Sequence, residues 1–360
     1  MATKGYHSYR GRRSWWKKLV VALLVLILLA ACGFMLIQRY ITYTDDGRLW
    51  LDLPFLRQEE TPPPAPLPEE QEEMNLVITP PAQPEPEPEP EPEAPVQTAR
   101  RVAELSVLPA DGEALRAALD ELGANAFAFQ VKNSAGQVCC ASEMAMDDAV
   151  AEDAVDLETL AALCAREDVD AVARLNCFHD SYYAWAHMES AGVCQSTGYI
   201  WYDNNSWHWL DPAKEDARQY VIALALECAQ LGFDELLLEE ASYPVKGNLQ
   251  KIDYTGNTMG KTEALKLFLT ELRAAVEPYG VKISLLLDSQ LLTAEGETLA
   301  ETSGQDLKVL LPLVDAVYAQ VEDLAAAEAV LAQAAGDEAV PPLIPLMESP
   351  GEGERWYVAQ

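Results

Sequence analysis

The stretch Trp209–Gly247, WLDPAKEDARQYVIALALECAQLGFDELLLEEASYPVKG, constrains the fold more than any other part of the chain. Asp211 followed by Pro212 reads as a helix N-cap with proline at the first helical position, where its missing N–H costs nothing. Val221, Leu224, Ala225 and Cys228 recur at i, i+3, i+4 and i+7, so one helical face is apolar, and Leu231-Gly232 supplies the stop. Glu235–Glu240 follows almost at once, with the length and apolarity of a buried strand. A helix feeding directly into a buried strand is an α/β unit, and such units build parallel sheets. This strand ends in two carboxylates and then Ala241-Ser242-Tyr243-Pro244.

The same alternation runs through the chain from about residue 101. Strands are expected at Val102–Leu108, Phe127–Val131, Ala171–Cys177, Val281–Leu287, Ala316–Val321, Leu343–Met347 and Trp356–Ala359, besides Glu235–Glu240. Helices are expected at Asp111–Leu122, Leu157–Arg166, Lys261–Glu277, Leu307–Leu311 and Ala325–Ala335, besides the one after WLDP. Short apolar strands alternating with helices in this number argue an α/β fold, a TIM-like (β/α)8 barrel over 101–360. No helix separates the seventh strand from the eighth, so imperfect closure is expected at the C-terminal end.

The N-terminal hundred residues cannot belong to that core. Residues 1–18 carry Lys4, Arg10, Arg12, Arg13, Lys17 and Lys18 without an acid, and Leu19–Ile37 carries no charge. Roughly 20 apolar residues span a bilayer as a helix, and Trp15, Trp16 and Tyr40 stand at the edges as interfacial aromatics do. The reading is a basic cytoplasmic tail over 1–18 and a single-pass anchor over 19–40, with the C-terminal domain extracellular. Two other readings stay open: a cleaved signal peptide, and a lipoprotein box at Leu29-Ala30-Ala31-Cys32. Residues 41–100 form a juxtamembrane segment and a linker, in which Pro84–Glu93 alternates Pro and Glu strictly. That composition buries no core and stays extended and disordered.

The net charge of −33 excludes nucleic acid as a partner, since phosphates are repelled. Seven cysteines show no zinc spacing; Cys164, Cys177 and Cys228 sit in apolar runs as small core residues, and Cys139-Cys140 is a vicinal pair. No dinucleotide fingerprint, P-loop or nucleophile elbow is present, and the sequence implies no cofactor.

WLDP, LGFDE and an acid-bearing strand ending in an aromatic-Pro pair resemble a bacterial extracellular family of glycosyl-hydrolase-like domains of unknown function with a TIM-barrel fold. The similarity extends loosely from Val102 to Met347. It implies a barrel whose chemistry sits at the strand C-termini, and a polysaccharide or cell-wall glycan as partner. Glu239 matches the family's strand-end acid, usually Asp; Arg174, Phe178 and Asp180 match its third-strand pattern. Gln130-Val131-Lys132-Asn133 stands where relatives carry Asp-Val-Lys-Asp, and Ser242 where they carry Arg.

Glycoside hydrolysis needs two carboxylates flanking the scissile bond. Glu239 is the expected proton donor, with Asp288 at the end of the fifth strand or Glu322 after the sixth as base or nucleophile. Glu240, one residue on, is expected to face the other side of the strand or to enter the following loop, and to be dispensable. Between the third strand and the WLDP helix, Tyr182, Tyr183, Trp185, Tyr199, Trp201, Tyr202, Trp207 and Trp209 offer faces for sugar rings, while Asp203, Asn204 and Asn205 offer hydroxyl partners. Lys132, Arg174, Trp201, Trp207 and Tyr243 are the substrate-binding candidates. His179, His187 and His208 lack metal-ligand spacing, so no metal site is expected. Two functions follow: a membrane-anchored glycosidase of wall or other polysaccharide, and a degenerate barrel that binds glycan or an envelope partner without cleaving it. A purely structural envelope role explains the anchor but not the aromatic segment.

Overall fold

The computed structural model describes residues 41–43, 49–51 and 99–359. The apolar run Leu19–Ile37 and the Pro-Glu linker lie outside the described residues, and so does Cys32. Among the described residues no helix is long and apolar enough to cross a membrane. Ile41–Tyr43 and Leu49–Leu51 pair as a short antiparallel ribbon.

The folded domain is a closed barrel of eight parallel strands: β1 (Arg100–Glu104), β2 (Ala126–Lys132), β3 (Asp170–Asn176), β4 (Glu235–Glu239), β5 (Lys282–Leu287), β6 (Ala316–Ala319), β7 (Leu343–Met347) and β8 (Arg355–Ala359). Neighbours pair in sequence order from β1 to β8. β8 then pairs with β1 from Arg355↔Arg100 to Ala359↔Glu104. Closure is therefore complete, contrary to expectation. A loop suffices between β7 and β8 because β8 closes the ring through its own strand hydrogen bonds.

Period-two alternation sorts the side chains. Val102, Ala128, Val172, Leu237, Tyr318, Ile344 and Tyr357 point inward and fill the barrel. The opposite faces pack beneath α1 (Gly112–Leu122), α2 (Leu157–Cys164), α3 (Glu215–Leu231), α4 (Lys261–Val276) and α5 (Leu324–Ala335). Cys164, Cys177 and Cys228 are buried in that outer layer, as their apolar neighbours implied. Asp111 accepts the N–H groups of Glu113 and Ala114 at the start of α1, and Gly123 ends it at φ 69°. α3 differs from expectation at its start. Lys214 occupies the N-cap, and Asp211 instead ties a preceding turn, accepting from the Ala213 N–H (3.0 Å) and from Asn257 Nδ2 (3.0 Å). At 2 % exposure, Asp211 is a buried turn anchor, so the WLDP motif fixes the loop entering the helix.

Two excursions interrupt the barrel rhythm. Val138–Cys140 runs antiparallel to β2, and Val150–Val155 lies parallel beside it. The other is the segment between β3 and α3, held by the bridges His179↔Trp209, Gly192↔Leu210 and Cys194↔Ile200.

Candidate active site

The site lies where β3, β4 and β5 end and the aromatic segment folds over them. Inward alternation along β4 places Glu235, Leu237 and Glu239 in successive layers of the barrel interior. Arg174 comes from the neighbouring strand, and its guanidinium meets Glu239 through two nitrogens, Nε to Oε2 at 3.2 Å and Nη2 to Oε1 at 2.9 Å. Its remaining nitrogen donates to both oxygens of Glu104 at 2.8 Å. One guanidinium thus joins the ends of β1, β3 and β4, and Glu239 is tied to it through both carboxylate oxygens.

Glu240 takes the opposite course. It leaves the strand at φ 48°, a left-handed conformation uncommon for a glutamate. The turn stops the alternation that would send the side chain outward, and Glu240 lines the same cavity as Glu239. Burial raises its pKa above the ordinary value, the neighbouring Glu239 charge raises it further, and Asp288 adds to the same effect. Ser242 Oγ stands 3.5 Å from Glu240 Oε2.

The cavity holds about 590 Å³. Asp288 lines it from the end of β5, exposed, with Oδ1 accepting the Gln290 N–H at 2.9 Å. Asp203, Asn204 and Asn205 line it from the aromatic segment. His179 stacks on Trp209 with ring centroids 4.6 Å apart, and Trp207 lies 5.2 Å away. Desolvation lowers the His179 pKa, with the Asp203 carboxylate opposing it. Among the described residues no group of three or more His, Cys, Asp or Glu is arranged to hold a metal ion.

Of the carboxylates expected here, the structure brings Glu239 and Asp288 together and leaves Glu322 out. β6 ends at Ala319, Gln320 takes the position lining the cavity, and Glu322 is exposed beside Asp323, which caps α5. Of the binding candidates, Arg174 reaches the mouth, but as the clamp on Glu239. Lys132 does not reach it. Its ammonium is buried, paired with Asp180 Oδ2 at 2.8 Å and donating to the carbonyls of Asn176 and Cys177. Phe178, matched to the same family pattern, packs edge-on against Phe268. Trp201 is buried and donates its indole N–H to the Asn248 carbonyl at 3.0 Å. Tyr243 is buried beside Tyr254. Trp207 packs on the His179 ring at the cavity's edge. Trp185, Tyr199 and Tyr202 are the exposed aromatics of the segment. Glu104 and the cavity role of Glu240 escaped the sequence reading. Glu104 was findable, because it stands two residues after Val102 on the inward face of β1.

A closed barrel with carboxylates gathered at the strand C-termini is a TIM-barrel domain with its candidate chemistry at the usual end. The model of the family described as "Putative glycosyl hydrolase domain" matches residues 111–321, and the chain belongs to that family. Among solved structures, the PgaB (BpsB) glycoside hydrolase domain from Bordetella bronchiseptica has the same fold. It aligns with a TM-score of 0.50 at 16% identity, over 73% of this chain and 93% of that one. A hypothetical protein from Ruminiclostridium thermocellum aligns at 24% identity and a TM-score of 0.41, over 49% of this chain and 92% of its own. A chitinase from Chromobacterium violaceum aligns at 15% identity and a TM-score of 0.38, over 71% and 72% respectively. No curated protein matches the chain.

Proposed function

We propose that the domain is a glycoside hydrolase acting on a cell-wall or other polysaccharide, with Glu240 as the proton donor. The observation that supports this is the partly buried Glu240 carboxyl, held in a carboxylate-lined cavity at the barrel mouth with its pKa raised. A general acid must carry its proton at working pH, and desolvation beside a second negative charge favours that form. Glu240 gives its proton to the glycosidic oxygen as the bond to the anomeric carbon breaks. Asp288, exposed to solvent across the cavity, supplies the base or nucleophile. Glu239 is a positioning residue. Its clamp with Arg174 fixes the last residue of β4, and its charge raises the Glu240 pKa and so favours the protonated form. Reducing-end release from wall polysaccharides is the test. Loss of about a hundredfold or more in Glu240→Gln supports the assignment; unchanged turnover removes Glu240 from the mechanism.

A second reading, glycan binding without cleavage, is favoured by the β2 end. Asn133, where relatives carry an acid, spends its side-chain oxygen on the Ala135 and Gln137 N–H groups. Glycan binding without turnover in the unmodified chain supports this alternative.

We also infer a single-pass topology, with the barrel carried outside the cell on the Pro-Glu linker. The basic flank and charge-free run of Leu19–Ile37 support it.

A further inference from the structure

Glu240 holds a left-handed conformation, which a non-glycine residue keeps only where its surroundings over-determine it. On one side the end of β3 does so: the Cys177 and Phe178 N–H groups donate to the Glu239 and Glu240 carbonyls at 2.7 and 3.3 Å. The other side is held by residues remote in sequence, at the end of the helix Glu297–Ser303 and in the turn after it. Tyr243 donates its N–H to the Ser303 carbonyl at 2.8 Å, and Gln305 donates from Nε2 to the Ala241 carbonyl at 3.3 Å.

Ala241 is buried just beyond the last paired residue of β4, and among the described residues no other donor reaches its carbonyl. A buried carbonyl outside a strand ladder needs a partner or becomes a cost. A carboxamide supplies the N–H; a thioether of similar length does not. Gln305 is itself fixed in place. Its backbone N–H donates to Ser303 Oγ at 3.2 Å. Gly304 turns the chain at φ 80°, where a Cβ would meet the Lys261 Cβ at 2.9 Å. The Lys261 ammonium donates to the Thr302 carbonyl and lies over the Tyr243 ring at 5.2 Å. Gln305 is 5 % exposed, and with Ser303 it lines the same cavity as Glu240.

We propose that Gln305 is the positioning residue for the proton donor: it holds the Ala241 carbonyl so that the backbone turns at Glu240 and the carboxyl enters the cavity. The proposal rests on the reading of Glu240 as general acid. With the Ala241 carbonyl released, the turn relaxes toward extended backbone, and strand alternation then carries the Glu240 carboxyl away from the cavity. Its pKa, raised by burial and by Glu239, falls toward the ordinary glutamate value. The other charged groups around the cavity, Glu239, Lys246, Asp288, Asp203 and His179, are unaltered by a substitution at position 305.

Two variants test this. Gln305→Met keeps the side-chain length and removes the donor; Ser303→Ala loosens the Gln305 backbone at a second point. In the purified full-length chain with isotope-labelled glutamate carboxyls, the Glu240 signal is identified by its loss in Glu240→Gln and titrated in each variant. Its midpoint is expected to fall in Gln305→Met and to fall less in Ser303→Ala. Reducing-end release from wall polysaccharide is expected to drop about tenfold or more in Gln305→Met, in kcat with KM nearly unchanged, because a displaced donor is missed in the transition state. The alkaline limb of kcat/KM is expected to move to lower pH with it. A Glu240 midpoint equal to the parent's in folded Gln305→Met overturns the proposal, whatever happens to turnover or melting temperature. Should that variant not fold, Ser303→Ala decides by the same measure. A lowered midpoint beside unchanged turnover in Glu240→Gln keeps the hold on the turn and removes the proton-donor reading. An unmoved midpoint beside lost turnover in Glu240→Gln does the reverse.

Discussion

Glu239 and Glu240 are consecutive, line one cavity, and are held in opposite ways: Arg174 grips both oxygens of Glu239, while Glu240 turns away at φ 48° with its carboxyl desolvated. The pair behaves as a tuned acid and the charge that tunes it. Glu239 is the second cause, after burial, of the raised Glu240 pKa. Glu239→Gln removes that repulsion and leaves Arg174 less neutralised, so both changes lower the Glu240 pKa. A protonated donor then persists only to a lower pH. The alkaline limb of kcat/KM against pH is expected to move to lower pH in Glu239→Gln. An alkaline limb that stays put shows that another group sets it.

The same raised pKa makes Glu240 a cost to the fold. Below about pH 4 the carboxyl is neutral in both folded and unfolded chains. As pH rises from the ordinary glutamate value through the higher folded value, the unfolded chain releases its proton first and stability is lost. Glu240→Gln is therefore expected to melt higher than the parent at pH 7, with the gap closing near pH 4. Thermal melts across that range check it, and the gain in stability would accompany the loss of turnover.

Lys132 is a structural residue under this fold. Lys132→Met leaves Asp180 buried without its partner and is expected to cost about 3–5 kcal/mol in denaturant unfolding. Lys132→Met/Asp180→Asn is expected to recover part of that loss, because the unpaired charge is gone. Equal destabilisation in the single and double variants would mean that the Asn176 and Cys177 carbonyl contacts, not the ion pair, carry the effect.

What could be read from the sequence follows physical range. The alternation of short apolar strands with helices is local, so every barrel strand was legible to within a few residues, as was Glu239 at the end of β4. The eighth strand was legible but its ring closure was not, because the Tyr357↔Val102 pairing joins the two ends of the domain. The partners of Lys132 and Arg174 lie 48 and 65 residues away or more in the folded pairs with Asp180 and Glu239, and one sequence does not display them. Glu240 was legible only in part. A place in the loop after the strand was one of its two readings, whereas the left-handed turn that brings it into the cavity is a conformation glutamate rarely adopts. The acidic Val150–Val155 strand was missed because its half-exposed faces lack a clean apolar alternation.

The topology inference is checked on intact cells. Protease added outside is expected to remove the barrel domain while leaving a short N-terminal fragment with the membrane. Protection until lysis reverses the orientation. Lipid labelling that disappears in Cys32→Ala would establish a lipoprotein in place of the uncleaved anchor.

The aromatic segment divides into packing and exposed rings, and the two sets predict opposite phenotypes. Trp201 is 1 % exposed, and its indole N–H satisfies the Asn248 carbonyl. Trp201→Ala is expected to cost about 3–5 kcal/mol through the cavity it leaves. Trp185 is 68 % exposed and lies flat against the His208 ring, with centroids 5.4 Å apart. His208 in turn bonds the Trp201 carbonyl at 2.9 Å, which ties this exposed face to the segment leading into Asp203. An exposed indole suits the apolar face of a sugar ring. Trp185→Ala is expected to leave the melting temperature within about a degree while weakening binding of long oligosaccharides more than short ones. Equal loss for long and short chains would place Trp185 at the cavity itself, and no loss for either would leave it outside the glycan path.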